Sequence, residues 1–156
     1  MKSLTLFRHA KTERDSDSGR DFDRRLMERG REDARRIGEE LRGLGLTFDL
    51  VLSSPAARAA ETAELAGLSS RFDQRIYDAS TGDLLAIVHE PDGTVERLGL
   101  IGHNPGFERL ASRLIGQSIA MPTGSLVEID LPINEWSEAG GSSGRLVRFL
   151  KPKELA

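Results

Sequence analysis

Apolar positions along this chain alternate between two spacings. Residues 3–7 form a short apolar run ending in charge, which predicts a buried strand. Over residues 28–44, Ala34, Ile37, Leu41 and Leu44 recur at helical spacing, and Gly43 and Gly45 mark a stop. Residues 49–52 predict a second strand. The Ser53-Ser54-Pro55 stretch then suits a helix start, with the helix running over 56–66. A third strand is expected over 71–77, a helix over 82–89, a fourth strand over 98–101 and a helix over 106–115. Strands over 126–131 and 146–150 follow, separated by a Ser- and Gly-rich loop at 137–144. Residues 12–25 are polar and aperiodic and predict a loop.

Strands alternating with helices imply an α/β fold. The expectation is a single three-layer domain over residues 1–156, a mostly parallel sheet with helices on both faces and an antiparallel strand near the C-terminus. Composition fits this. With 38% hydrophobic residues a core is available, and 30% charged residues of mixed sign suit a solvated surface. A net charge of −3 argues against a nucleic-acid partner. The absence of cysteine excludes disulfide scaffolds, thiol nucleophiles and cysteine zinc sites. No run approaches a membrane span, and the apolar start is too short for a signal sequence, so the expectation is a soluble, cytoplasmic protein with no membrane partner. Oligomeric state is not legible.

The chemistry sits at strand ends. Arg8 and His9 follow the first strand, Ser53, Ser54 and Arg58 the second, and His103 and Asn104 the fourth. In an open α/β sheet, ligands bind beyond the carboxyl ends of parallel strands, so these groups should converge on one pocket. Arginine forks pair with phosphate oxygens, and helix starts near Pro55 and Gly106 favour an anion. Histidine can attack phosphorus through a neutral ring nitrogen or donate a proton. Glycine-rich nucleotide loops, a metalloprotease HExxH and a serine elbow are all missing. His89 reads as a charge-complementing helix C-terminus. Lys11, Arg14 and Arg20 read as solvated loop charges able to steer an anion.

Three stretches carry a resemblance. Leu6-Phe7-Arg8-His9-Ala10-Lys11, the 53–63 segment with Arg58, and Ile101-Gly102-His103-Asn104-Pro105-Gly106 resemble the ordered signatures of the histidine phosphatase superfamily. The likeness spans about residues 1–115, and the compact chain and Arg-His-Ala-Lys opening are most similar to the small SixA-type phosphohistidine phosphatases. It implies a phosphoglycerate-mutase-like fold and catalysis without metal or organic cofactor. His9 would be the nucleophile, with Arg8, Arg58 and His103 around the phosphoryl oxygens. Small members carry an arginine in an Arg-Pro-Leu segment; Arg24-Arg25-Leu26 stands there, so Arg24 is assigned to phosphate, with Arg25 as the alternative. Ala10 replaces the glycine of larger members, which implies that this position needs no positive φ. No motif fixes a general acid, and Asp78 is the candidate.

The resemblance implies a phosphatase with a phosphorylated protein as partner, its substrate phosphohistidine. No long insertion is present that could cap the pocket, which favours a protein-borne phosphoryl group over an enclosed sugar phosphate. A small-molecule phosphomonoesterase or mutase acting on a small phosphate ester, and a non-catalytic phosphoprotein-binding module, stand as alternatives.

Overall fold

The computed structural model describes residues 1–155. Six strands form one sheet: β1 (Lys2–Arg8), β2 (Leu50–Ser53), β3 (Arg71–Phe72), β4 (Arg97–Gly102), β5 (Leu126–Leu131) and β6 (Arg145–Leu150). Their order is β3-β2-β4-β1-β5-β6. β3, β2, β4 and β1 run parallel, β5 is antiparallel to β1, and β6 is antiparallel to β5.

The two-residue period of the strands sorts side chains onto two faces. Leu4, Leu6, Leu98 and Leu100 point to one face, where helices α3 (Thr81–Val88) and α4 (Gly106–Ile115) bring Leu84, Phe107 and Leu110. Phe7, Val51 and Ile101 point to the other, where α1 (Glu28–Gly43) and α2 (Ala57–Leu65) bring Ile37, Leu41, Ala59 and Ala63. Both faces are therefore covered, which is the three-layer arrangement that the alternating pattern predicts. Among the described residues, no helix is long and apolar enough to cross a membrane.

The structure corrects one element. The strand expected over 71–77 shrinks to Arg71–Phe72, both exposed at the sheet edge. The Asp73 side chain accepts from the Arg75 backbone N–H and caps a 3-10 turn, Gln74–Ile76. This local bond competes with strand pairing and takes the chain out of the sheet. Ile76 is thereby buried under α3, and Tyr77 swings over the carboxyl ends of the strands.

Two glycines permit close approaches to the loop after β1. A Cβ at Gly30 in α1 would lie 2.1 Å from the Lys11 carbonyl oxygen, so the helix can pack against the loop after β1 only without a side chain there. Gly124 has φ +76°, and its N–H donates to the His9 carbonyl at 2.8 Å. Ala10 keeps a negative φ, as its replacement of glycine implies; Asp78 alone among the described non-glycine residues has a positive one, at 56°.

Candidate active site

The carboxyl ends of β1, β2 and β4 each deliver one histidine or arginine cluster. His9 leaves β1 with its N–H bonded to the Gly102 carbonyl of β4 at 3.0 Å, so the two histidine-bearing ends are tied directly. The His9 and His103 rings lie with centroids 5.2 Å apart, and the Tyr77 ring meets His103 edge-on at 5.6 Å. A cavity of about 190 Å³ is lined by Asp21, Arg58, Tyr77, Asp78, His103 and Asn104.

His9 is held in one orientation and one tautomer. Its Nδ1 lies 2.8 Å from the Ala10 carbonyl oxygen. A carbonyl only accepts, so Nδ1 carries the proton and Nε2 of the neutral ring keeps its lone pair. Burial pushes the imidazole from 6.5 down to about 3, reinforced by the charges of Arg58 and Arg8. Burial likewise pushes His103 down to about 4, with Arg58 adding to the effect. Two neutral imidazoles thus stand among cations. His103 Nε2 is 2.8 Å from the Ser54 hydroxyl, which also accepts from the Ala56 backbone N–H and so links β4 to the start of α2. His103 Nδ1 is buried with no protein partner.

These shifts predict a pH response of stability. The unfolded chain protonates both histidines below about pH 6.5, while the folded protein does so only near 3–4. The unfolded state therefore binds more protons between those values, so stability falls on acidification through that window and recovers as pH rises to 6.5. Taken over the full window, the shifts correspond to roughly 3–5 kcal/mol per histidine. Melting curves of His9→Gln should show a visibly shallower slope between pH 6.5 and 4 than the wild type; an identical slope would remove this account of the site.

The arginines are anchored from behind. Arg8 Nη1 donates to the Met121 carbonyl at 2.7 Å, while its Nε is buried without a partner. That carbonyl is placed by a small network. Asn104 donates to it at 2.9 Å and to Glu108 at 2.9 Å, and Glu108 accepts from the Met121 backbone N–H at 3.0 Å. Arg58 is buried, and its Nη1 and Nη2 donate to the backbone oxygen and the carboxylate of Asp21 at 2.9 and 3.0 Å. Thr62, one turn on, donates to the Arg58 carbonyl and accepts from the Ala10 backbone N–H, coupling α2 to the His9 loop.

Asp21 is the hub of the outer rim. Besides Arg58, it accepts from the Tyr77 hydroxyl at 2.7 Å and from Arg24 at 2.9 Å. The Tyr77 bond first, then the arginines, hold its carboxyl well below the usual carboxylate range, and the same bond pushes the Tyr77 phenol up. Asp21 thus stays ionised and occupies the donor fork that an incoming phosphoryl group would use.

The structure brings His9 against His103 and sets Arg8 and Arg58 close enough for their charges to act on both rings, although only Arg58 and His103 of the four line the cavity itself. It does not place Arg24 on the cavity wall: its guanidinium is committed to Glu13, Thr12 and Asp21, so it reaches the site through Asp21. Arg25 is exposed and also lies off that wall. Asp78 does line the cavity, as an exposed residue in the left-handed conformation after a 3-10 turn rather than after a strand. Sequence reasoning missed Asp21, Tyr77, Thr62 and Glu108. Asp21 sits in an aperiodic acidic loop, where nothing distinguishes it from Asp15, Asp17 or Asp23. Among the described residues, no three His, Asp or Glu side chains gather as a metal-ligand set.

Comparison with known proteins bears on the family and the fold. The family model of the histidine phosphatase superfamily (branch 1) matches residues 4–89. An uncharacterized chloroplastic protein of Arabidopsis thaliana is 32% identical over 158 residues, covering 92% of this chain and 72% of that protein. A crystal structure from Agrobacterium tumefaciens, provisionally assigned as the phosphohistidine phosphatase SixA, is 28% identical with a TM-score of 0.83, over 97% of this chain and 98% of the other. The protein histidine phosphatase SixA complexed with tungstate shares the fold, with a TM-score of 0.78 at 23% identity over 97% and 98% of the two chains.

Proposed function

Because this chain belongs to the histidine phosphatase superfamily, we propose that it is a phosphatase that works through a covalent phosphohistidine on His9 and acts on phosphohistidine in proteins. The observation that carries this reading is the locked neutral tautomer of His9, its Nδ1 tied to the Ala10 carbonyl and its Nε2 left as a nucleophile beside Arg58 and His103. His9 Nε2 attacks phosphorus in line. The bond from phosphorus to the substrate imidazole breaks, its electron pair returns to that nitrogen, and the ring, already protonated from solvent at its other nitrogen, leaves as neutral imidazole. Water then attacks phosphorus on His9, releasing inorganic phosphate and restoring the free imidazole. Arg8 and Arg58 stabilise the equatorial oxygens, where charge accumulates, and His103 hydrogen-bonds to them. These side chains supply the electrostatic stabilisation, so the reaction is written without a metal or organic cofactor.

Two features support a protein-borne phosphohistidine. The longest connection at this end of the sheet, residues 9–27, contributes Asp21 alone to the cavity wall, which leaves an opening for a phosphoryl group displayed on a protein surface. The acid needed for an alkoxide leaving group is also poorly provided. Of the two carboxylates on the cavity wall, Asp21 is held ionised and cannot donate a proton at neutral pH. That leaves Asp78, whose presence on the wall is the one observation favouring a phosphomonoesterase.

A substrate panel separates the two. A positioned acid is worth about 10²–10⁴ in rate for an oxygen ester. Asp78→Asn should barely change hydrolysis of a phosphohistidine peptide, and the wild type should prefer that peptide to an unactivated alkyl or sugar phosphate by orders of magnitude. If the wild type handles an alkyl phosphate well and Asp78→Asn cripples it, Asp78 is a general acid and the substrate is a phosphate ester. Saturable phosphopeptide binding without turnover would mark a binding module.

A further inference from the structure

A second, larger groove begins beside the loop that carries His9. It encloses about 290 Å³ and brings together Lys11, Arg29, Lys151 and Lys153, with Asp33 as its one acidic lining residue. The chain has 18 arginines and only four lysines, and three of those four line this groove. Among the described residues none of the three makes an ion pair. Asp33 is buried and paired with Arg29 at 3.3 Å, so its charge is already answered within the protein. A dense, unneutralised positive groove on a chain of net charge −3 is a local feature, not a bulk one.

The groove is also tied to the site. Lys11 lies two residues beyond His9, so their Cα atoms are at most about 7.6 Å apart. Pro122 and Thr123 on its wall separate Met121, which anchors Arg8, from Gly124, which anchors His9. Pro152 closes the far wall against Gly124. Its cations come from three separate elements: the loop after β1, the first turn of α1, and the C-terminal segment packed on α1. Lysines supply point charges on flexible stems, which suits carboxylates presented at variable angles better than one fixed oxyanion.

We propose that this groove docks an acidic segment of the phosphoprotein substrate, with Asp or Glu side chains flanking the phosphohistidine. This rests on the phosphohistidine phosphatase reading above. Because the groove opens at Lys11, two residues beyond His9, the recognised carboxylates lie within a few residues of the phosphohistidine. Two or three carboxylates match the uncompensated charge, and the chain's negative balance opposes a nucleic acid. The groove therefore sets KM for the protein and leaves the phosphoryl chemistry alone.

The test compares free phosphohistidine with two phosphohistidine peptides, one with acidic flanks and one with neutral flanks. Lys151→Glu/Lys153→Glu alters only exposed or half-buried side chains of the C-terminal segment, and its melting temperature checks that the fold is intact. Reversing two charges should raise KM for the acidic peptide by on the order of tenfold, with kcat unchanged. Turnover of free phosphohistidine and of the neutral peptide should stay within about twofold of wild type, and the milder Lys151→Ala/Lys153→Ala should fall between. Raising the salt concentration should erase the preference for acidic flanks, because exposed charges are screened over about 8 Å at physiological ionic strength. Equal kcat/KM for the two peptides in the wild type, or an unchanged KM in the charge-reversed protein, overturns the docking site while leaving the phosphatase reading intact. If no phosphohistidine substrate turns over, that reading fails, and fluorescence anisotropy with an unphosphorylated Asp/Glu-rich peptide still decides the groove. Loss of its binding on charge reversal supports the site. Absent binding, or stronger binding of a single-stranded oligonucleotide, overturns it.

Discussion

His9→Ala is expected to lower turnover by several orders of magnitude while binding of a tetrahedral oxyanion such as tungstate largely survives. The nucleophilic lone pair disappears, and with it the covalent route. The cradle remains, because Arg8 is anchored by the Met121 carbonyl, Arg58 by Asp21, and His103 by Ser54, none of which depends on the His9 side chain. Since burial keeps His9 neutral in the free protein, its removal deletes no cation from the site. The fold should tolerate the change at the cost of one hydrogen bond, about 1 kcal/mol, and a small void. Steady-state rates, tungstate titration and trapping of the acid-labile, base-stable phosphoenzyme by rapid quench in base read the three consequences separately. Substantial turnover by His9→Ala would place the nucleophile elsewhere.

Arg58→Ala should behave differently, losing turnover and oxyanion binding together. Arg58 is buried and presents two donors on one face of its fork, the geometry that equatorial phosphoryl oxygens require. Removing a preorganised donor of this kind costs about 10²–10³ in kcat. Its loss also leaves the Asp21 carboxylate without that cation, so the cavity becomes more negative where the anion must enter. Arg58→Lys should rescue little, because an ammonium restores the charge without the fork. Thermal stability should move only slightly, since the Asp21 side chain of the pair is 50% exposed and screened by solvent. Tungstate affinity equal to wild type in Arg58→Ala would exclude this residue from the cradle.

The contrast between these two variants reflects what kind of information each residue carries. His9 and Arg58 are legible in the sequence because strand ends and helix starts are local features, and both residues stand in short stretches that resemble a family's ordered signatures. The periodicities of 28–44 and 106–115 translate almost directly into α1 and α4, since a single apolar stripe specifies both the helix and the face it buries. The largely apolar segments at β1 and β4, bounded by charge or turn residues, likewise announce buried strands.

Tertiary structure decided the rest, because it depends on groups distant in the chain. Tyr77 reads as the end of a strand until the Asp73 cap turns the chain out of the sheet and lays the ring against His103. Arg24 is chemically equivalent to Arg58 in sequence, yet Thr12, Glu13 and Asp21 surround it and divert its donors from the cavity. Asp21 becomes an ionised hub only where Tyr77, 56 residues on, meets Arg58 and Arg24 around one carboxylate. The basic groove joins Lys11 to Lys151 and Lys153 across most of the chain's length. Local propensity and periodicity are encoded over a few neighbouring residues and survive reading in one dimension. Which donors converge on one oxygen, and which charges are left unanswered, is settled only when distant segments are packed against each other.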